Sequence, residues 1–245
     1  MENKKYLLAT DLDGTFVGDK EALGRLLQFF DGSPDEVALI YVTGRHLSSA
    51  RSLMAEEGLP MPDLLITDVG TAIYRGDLEE DLDWKDRMQE DWQPRMIAES
   101  AAFFPALKRQ ELPDERRVSF TVSDDIGAVH EFKKALEDQA IAHSFIFSSS
   151  RDIDVLPSSA GKGNALEYAL GRYARDGVKI LIAGDSGNDR DMLSLSHPSV
   201  IVGNAQPELL EMDPCENLFL ANENCAGGIH EAWLHFYGDR RESAG

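Results

Sequence analysis

The sequence predicts an α/β fold: a parallel sheet covered by helices on both faces, interrupted by an α+β insertion. Two observations predict the sheet. Short apolar runs alternate with helix-spaced segments toward both ends of the chain, the rhythm of βαβ units. These runs are apolar almost throughout, as strands buried on both faces must be. A third observation marks the insertion. From about residue 76 to about residue 159 the pattern changes to acidic, helix-rich sequence with strands that alternate apolar and polar residues.

The first strand is expected over 5–10, Lys-Tyr-Leu-Leu-Ala-Thr. Leu23, Leu26, Leu27 and Phe30 recur at helical spacing and predict a helix over 20–30. A second strand over 37–42, a helix over about 47–57 and a third strand over 64–66 complete this half. After Tyr74 the composition shifts, and 77–91 is dense in carboxylates around Trp84 and Trp92, whose helix-like spacing reads as packing. A helix over 94–107, an alternating strand over 117–122, a helix over 126–139 and a strand over 144–148 follow. From Lys162 the α/β rhythm resumes: a helix to about 175, a strand over 178–183, a helix near 189–195, a strand over 199–202, and helices near 206–211 and 226–236. The core is therefore discontinuous, 1–75 with 160–245, and 76–159 forms a cap.

Composition narrows the function classes. A chain of 245 residues buries a sizeable core without disulfide staples. The net charge of −20 repels nucleic-acid backbones and anionic membranes. No leader or long apolar span is read in the chain, so no membrane partner is expected. Any phosphate ligand needs a local island of cations or a metal ion. Cys215 and Cys225 fit no zinc or redox spacing, and a reducing cytoplasm is the expected setting. The six histidines include no HxxxH pair, which argues against a histidine metal site.

The chemistry-bearing residues lie where strands end. Asp11-Leu12-Asp13-Gly14-Thr15 follows the first strand, and ligands of open α/β sheets bind beyond the carboxyl ends of strands. Gly184-Asp185-Ser186-Gly187-Asn188-Asp189 follows another. Asp11, Asp13, Asp185 and Asp189 brought together would repel one another strongly at low dielectric. A hard cation such as Mg²⁺, which takes oxygen ligands, resolves that repulsion. Lys162 opens a helix against the dipole preference and so calls for an anionic partner. Thr43-Gly44-Arg45 offers a hydroxyl, a flexible turn and free helix N–H groups suited to phosphate oxygens. Arg45 either reaches substrate or pairs with an acidic neighbour.

In their order, Asp11-x-Asp13-x-Thr15, Thr43, Lys162 and Gly184-Asp185-x-x-x-Asp189 resemble the haloacid dehalogenase superfamily of phosphotransferases. Three further stretches are similar to the sucrose-phosphatase family, and to mannosylfructose-phosphate phosphatases. They are Asp68 to Tyr74, Ser148 to Pro157 and Val202 to Leu209. The resemblance implies a Rossmann-like core with a large cap. It implies Asp11 as nucleophile and Asp13 as general acid and base. Mg²⁺ would lie between Asp11, the backbone carbonyl of Asp13 and Asp185, with Asp189 acting through water. Thr43 and Lys162 would hold the phosphoryl oxygens, supported by Gly44, Arg45, Asn188 and Asn204. Ser150, Arg151, Asp152 and Asp154 are candidates for reading the sugar. The implied substrate is a sugar phosphate, sucrose 6-phosphate first, and the implied partner a sucrose-phosphate synthase. A phosphomutase on the same core, a non-catalytic binding module and a DxD glycosyltransferase are the competing readings.

Overall fold

The computed structural model describes residues 1, 4–31, 36–123, 125–213 and 216–238; Cys215 lies outside them. Strand β1 (Tyr6–Thr10) pairs in parallel with β2 (Val37–Val42) on one side and with β9 (Lys179–Gly184) on the other. β3 (Leu64–Thr67) and β4 (Ala72–Arg75) extend the sheet beyond β2, and β10 (Ser199–Ile201) and β11 (Leu218–Leu220) extend it beyond β9. Every pairing is parallel except β3 with β4. The mixed α/β fold with a parallel-sheet core is the one expected.

Side chains alternate across this sheet. Leu8, Tyr41 and Leu181 face α1 (Lys20–Asp31), α2 (Leu47–Glu57) and α9 (Cys225–Tyr237), whose Leu26, Leu53 and Trp233 close that layer. Leu7, Ile40 and Ile182 face the opposite layer, with Leu166 of α6 (Lys162–Tyr173) and Met192 of α7 (Arg190–Leu193). Both layers are buried, which explains why the strands read as continuous apolar runs.

The second sheet is antiparallel, in the order β5 (Lys108–Arg109), β6 (Val118–Thr121), β8 (Asp152–Leu156), β7 (Ser144–Ser148). Phe120, Ile153 and Val155 pack against Ile97 of α4 (Pro94–Ala101) and Phe132 of α5 (Ile126–Asp138). The helix α3 (Leu82–Gln89) instead sends Trp84 and Met88 into the first sheet's cluster, and Trp84 Nε1 donates to the Gly70 carbonyl at 3.1 Å.

Several boundaries differ from expectation. α4 stops at Ala101, short of 107, because Pro105 cannot donate its N–H and its ring meets the carbonyl four residues back. β8 is a strand not expected from sequence: its two aspartates obscure the alternating Ile153 and Val155. The edge strands β4, β11 and β5 are also not among those expected. Among the described residues no helix is long and apolar enough to cross a membrane.

Candidate active site

β1, β2, β3, β9 and β10 all end on the same edge of the sheet, and the loops that follow converge there. The backbone N–H of Asp11 donates to the Ala183 carbonyl at 3.0 Å, joining the first acidic loop to the strand before the second. Gly14 adopts φ +78°, and a Cβ there would lie 2.6 Å from Asp185 Oδ2. Only glycine allows that turn against that carboxylate. Thr15 Oγ1 donates to Asp185 Oδ1 at 2.9 Å. Asn204 ties the loop down, donating to the Gly14 carbonyl at 2.7 Å and accepting from the Cys225 N–H at 2.8 Å.

Lys162 is 1% exposed and lies between two carboxylates, 2.6 Å from Asp11 Oδ1 and 2.6 Å from Asp189 Oδ1. These are its anionic partners. Burial alone would lower its pKa, but Asp11 and Asp189 outweigh burial and hold the ammonium charged. Asp189 Oδ2 accepts from the backbone N–H groups of Asp185 and Ser186, each at 3.0 Å. Asp191, not singled out from sequence, accepts from the Gly163 N–H at 2.8 Å and steadies the start of α6 beside Lys162. A third aspartate, two residues beyond that loop in the first turn of α7, was the signal available for it.

The electrostatics are those of a site short of positive charge. Burial raises the Asp11 carboxyl well above the usual range; Lys162 opposes this, while Asp189 and Asp185 add to it. Burial, then Asp189, pushes Asp185 up to about 6. Oxygens of Asp11, Asp185 and Asp189 lie within 4.8 Å of one another, and all three residues are buried. Three carboxylates against one lysine form an all-oxygen, anionic donor set, which fits Mg²⁺. The Asp13 side chain is not part of this set.

Asp13 is instead half exposed and paired with Arg45, which donates from Nε and Nη2 to its two oxygens at 2.7 Å each. Of the two roles open to Arg45, pairing with an acidic neighbour is the one seen. Thr43 is fully buried, and its hydroxyl accepts from the Arg45 N–H at 3.1 Å. Asn188 Nδ2 lies 3.9 Å from where a Cβ on Gly44 would stand, so the second and fourth motifs are neighbours.

The second sheet reaches the same edge through Arg117. Its guanidinium donates to the Gly44 carbonyl at 2.9 Å, to Asp154 Oδ1 at 2.5 Å and to Asp68 Oδ1 at 3.4 Å. Ser119 also donates to Asp154 Oδ1, at 2.5 Å. Asp154 is thereby buried inside an ion network. Burial raises the Asp68 carboxyl, and Arg117 partly offsets this. Sequence reasoning missed Arg117 and Asp68 as a pair because 49 residues separate them. Asp152 accepts from Gln110 Nε2 at 3.3 Å. Ser150 and Arg151 are exposed on the turn between β7 and β8.

Known proteins resemble this chain over most of its length. It is 36% identical over 94% of its length to a glucosylglycerol-phosphate synthase of Pseudomonas anguilliseptica, spanning only 30% of that protein. It is 34% identical to the mannosylfructose-phosphate phosphatase of Agrobacterium fabrum, spanning 96% of it, and 33% identical to sucrose-phosphatase 1 of Nicotiana tabacum, spanning 59% of it. The crystal structure of the sucrose-phosphatase of Synechocystis sp. PCC6803, in complex with sucrose and phosphate, superposes with a TM-score of 0.90 at 35% identity, covering 95% of this chain and 98% of that one. The profile of the sucrose-6F-phosphate phosphohydrolases matches residues 4–237. Because that match runs through both sheets and every loop of the site, the chain belongs to the sucrose-6F-phosphate phosphohydrolase family.

Proposed function

We propose that this protein is a Mg²⁺-dependent phosphatase that hydrolyses sucrose 6-phosphate to sucrose and phosphate. The observation that carries the chemistry is Lys162, buried between Asp11 and Asp189 with Asp185 alongside. A buried cation held at the carboxyl edge of the sheet, amid excess negative charge, is the arrangement a phosphoryl group and a metal ion would complete. Family membership and the solved relative that holds sucrose and phosphate support the substrate.

Asp11 attacks phosphorus and becomes an aspartyl-phosphate, which splits one hard displacement into two easier ones. Asp13 protonates the departing sugar oxygen and then takes a proton from the water that frees phosphate. Lys162 and the Thr43 hydroxyl bind transferring oxygens, while Gly44, Asn188 and Asn204 keep the loops in place. Asp11, Asp185, the Asp13 backbone and Asp189 would hold Mg²⁺, which when bound would supply further neutralisation of the phosphoryl charge. The cap, 76–159, chooses the sugar; Ser150, Arg151 and Asp152 are its proposed readers, and Asp154 acts through Arg117. A cytoplasmic setting and a sucrose-phosphate synthase as upstream partner complete this reading.

Mannosylfructose phosphate is the second candidate substrate, favoured by the match that spans 96% of the Agrobacterium enzyme. Phosphate release from sucrose 6-phosphate, mannosylfructose phosphate, glucose 6-phosphate and fructose 6-phosphate, each with Mg²⁺ and with chelator, tests both. Metal-dependent release greatest from sucrose 6-phosphate is expected. Preference for mannosylfructose phosphate moves the specificity and keeps the chemistry, and no release from any of the four rejects the proposal.

A further inference from the structure

One side chain bridges the turn between β7 and β8 to the acidic loop, where Ser148 at the end of β7 also lies against Gly187. Glu208, in α8 (Pro207–Leu210), presents Oε1 to two backbone N–H groups, that of Ser149 at 2.7 Å and that of Gly187 at 3.3 Å. Ser149 belongs to the second sheet's turn, and Gly187 opens the 3₁₀ turn Gly187–Asp189 that ends in Asp189. Gly187 makes the approach feasible: a Cβ there would lie 3.2 Å from Glu208 Cγ and 3.3 Å from Ser148 Cβ. The Glu208 backbone is held from the same loop, its carbonyl accepting from Arg190 Nη2 at 3.1 Å.

The turn needs an anchor. Ser149 and Ser150 both adopt φ +52°, the left-handed region that is unfavourable for residues other than glycine. Such a conformation persists only where surrounding contacts impose it. Within the turn, the Arg151 N–H donates to the Ser148 carbonyl at 3.1 Å. The charged acceptor on Ser149 is Glu208, and charge-assisted hydrogen bonds are the stronger kind. The loop beneath is already rigid, since Asp189 binds the N–H groups of Asp185 and Ser186 as well as Lys162.

We infer that Glu208 is a positioning residue that seats the second sheet's turn on the acidic loop and so holds that sheet over a bound sugar phosphate. The role rests on the phosphatase reading above, and Glu208 touches neither substrate nor the reacting atoms in it. Its effect should therefore fall on esters whose leaving group the second sheet must read. A small aryl phosphate, which offers that sheet no sugar, should escape.

The full chain with Glu208→Ala or Glu208→Gln is compared with wild type by two measurements. In amide hydrogen exchange, Ser149 should exchange about tenfold faster in the alanine variant, which lacks the acceptor, and near the wild-type rate in the glutamine variant, whose amide oxygen still accepts. In kinetics, the alanine variant should lose about tenfold in kcat/KM on the sugar phosphate and less than about twofold on an aryl phosphate, with glutamine restoring the loss. Unchanged Ser149 exchange in the alanine variant overturns the inference. So does an equal loss on both esters, or a glutamine variant as impaired as alanine. Were wild type inactive on every sugar phosphate, the functional reading would fail alone, and the exchange arm would still decide whether Glu208 seats the turn.

Discussion

Arg45 grips both carboxylate oxygens of Asp13, at 2.7 Å each, and its Nη1 in turn donates to Ser49 Oγ at 2.9 Å. The guanidinium is thus oriented from α2 and orients the proposed acid–base in its turn. Asp13→Asn should slow hydrolysis of a sugar phosphate by about 10²–10⁴-fold, the usual worth of general acid–base help. An aryl phosphate should lose less, because its leaving group departs without a proton. Arg45→Met should produce a smaller loss of the same kind and none when Asp13 is already Asn. An additive effect in that double variant would show that Arg45 acts on substrate independently of Asp13.

Lys162 neutralises two buried carboxylates at once. Lys162→Met should abolish turnover and destabilise the metal-free fold by about 3–5 kcal/mol, the cost of leaving a buried charge without its partner. Adding Asp11→Asn should recover part of that stability without recovering activity. Urea unfolding in chelator measures the first effect and phosphate release the second. A Lys162→Met protein as stable as wild type would mean the carboxylates do not depend on the lysine.

The strand ends and the four motif loops were legible because each is local: an apolar run followed within a few residues by Asp, Thr or Gly. Their convergence followed from the parallel-sheet rule alone. What stayed hidden was nonlocal. Arg117 shows in sequence only as a polar position at the edge of an alternating strand, and its partners Gly44, Asp68 and Asp154 lie in three other segments. Asp154, expected among the sugar readers, is buried beneath that arginine because β8 pairs with β6 and sets Asp154 opposite Ser119. Asp152 and Asp154 stand two residues apart and so share one face of β8, and strand periodicity cannot tell the buried one from the half-buried one; their cross-strand neighbours, Ser119 and Thr121, decide it. The Arg45 alternatives likewise closed only when the position of Asp13 was known.

Asp81 caps α3 and gathers phenol groups from α6. It accepts from the Trp84 N–H at 2.9 Å, from Tyr168 at 3.2 Å, and from Tyr173. Burial acts to raise its pKa, but hydrogen bonds from Tyr173, Trp84 and Tyr168 together hold the carboxyl below its ordinary value of 3.8. A depressed carboxyl contributes stability above the unfolded pKa and loses it as pH falls through the folded one. Wild type should therefore exceed Asp81→Asn in stability at neutral pH, and the gap should close as pH drops below 3.8. Urea midpoints of the two proteins across that range check it, and a gap that widens toward acid would overturn the assignment.

Asp185 should have opposite effects with and without metal. In the metal-free protein at pH 7 it is a buried carboxylate near Asp11 and Asp189, with its pKa pushed up to about 6, chiefly by burial and then by Asp189. A carboxyl raised on folding stabilises the fold below its unfolded pKa and loses that contribution as pH rises through the folded value, so at pH 7 its charge is a burden. Asp185→Asn keeps an acceptor for the Thr15 hydroxyl and removes the charge, so in chelator it should be more stable than wild type by about 1–3 kcal/mol. With Mg²⁺ at about a hundred times its dissociation constant, wild type gains roughly 2.7 kcal/mol by mass action, while the variant, short of one anionic ligand, gains little. The two thermal unfolding curves should therefore change order, or at least converge, on adding Mg²⁺. An equal gain in both proteins would take Asp185 out of the metal site. A variant less stable than wild type in chelator would show that its bond to Thr15 outweighs the repulsion, and that the acidic cluster needs no cation to be tolerated.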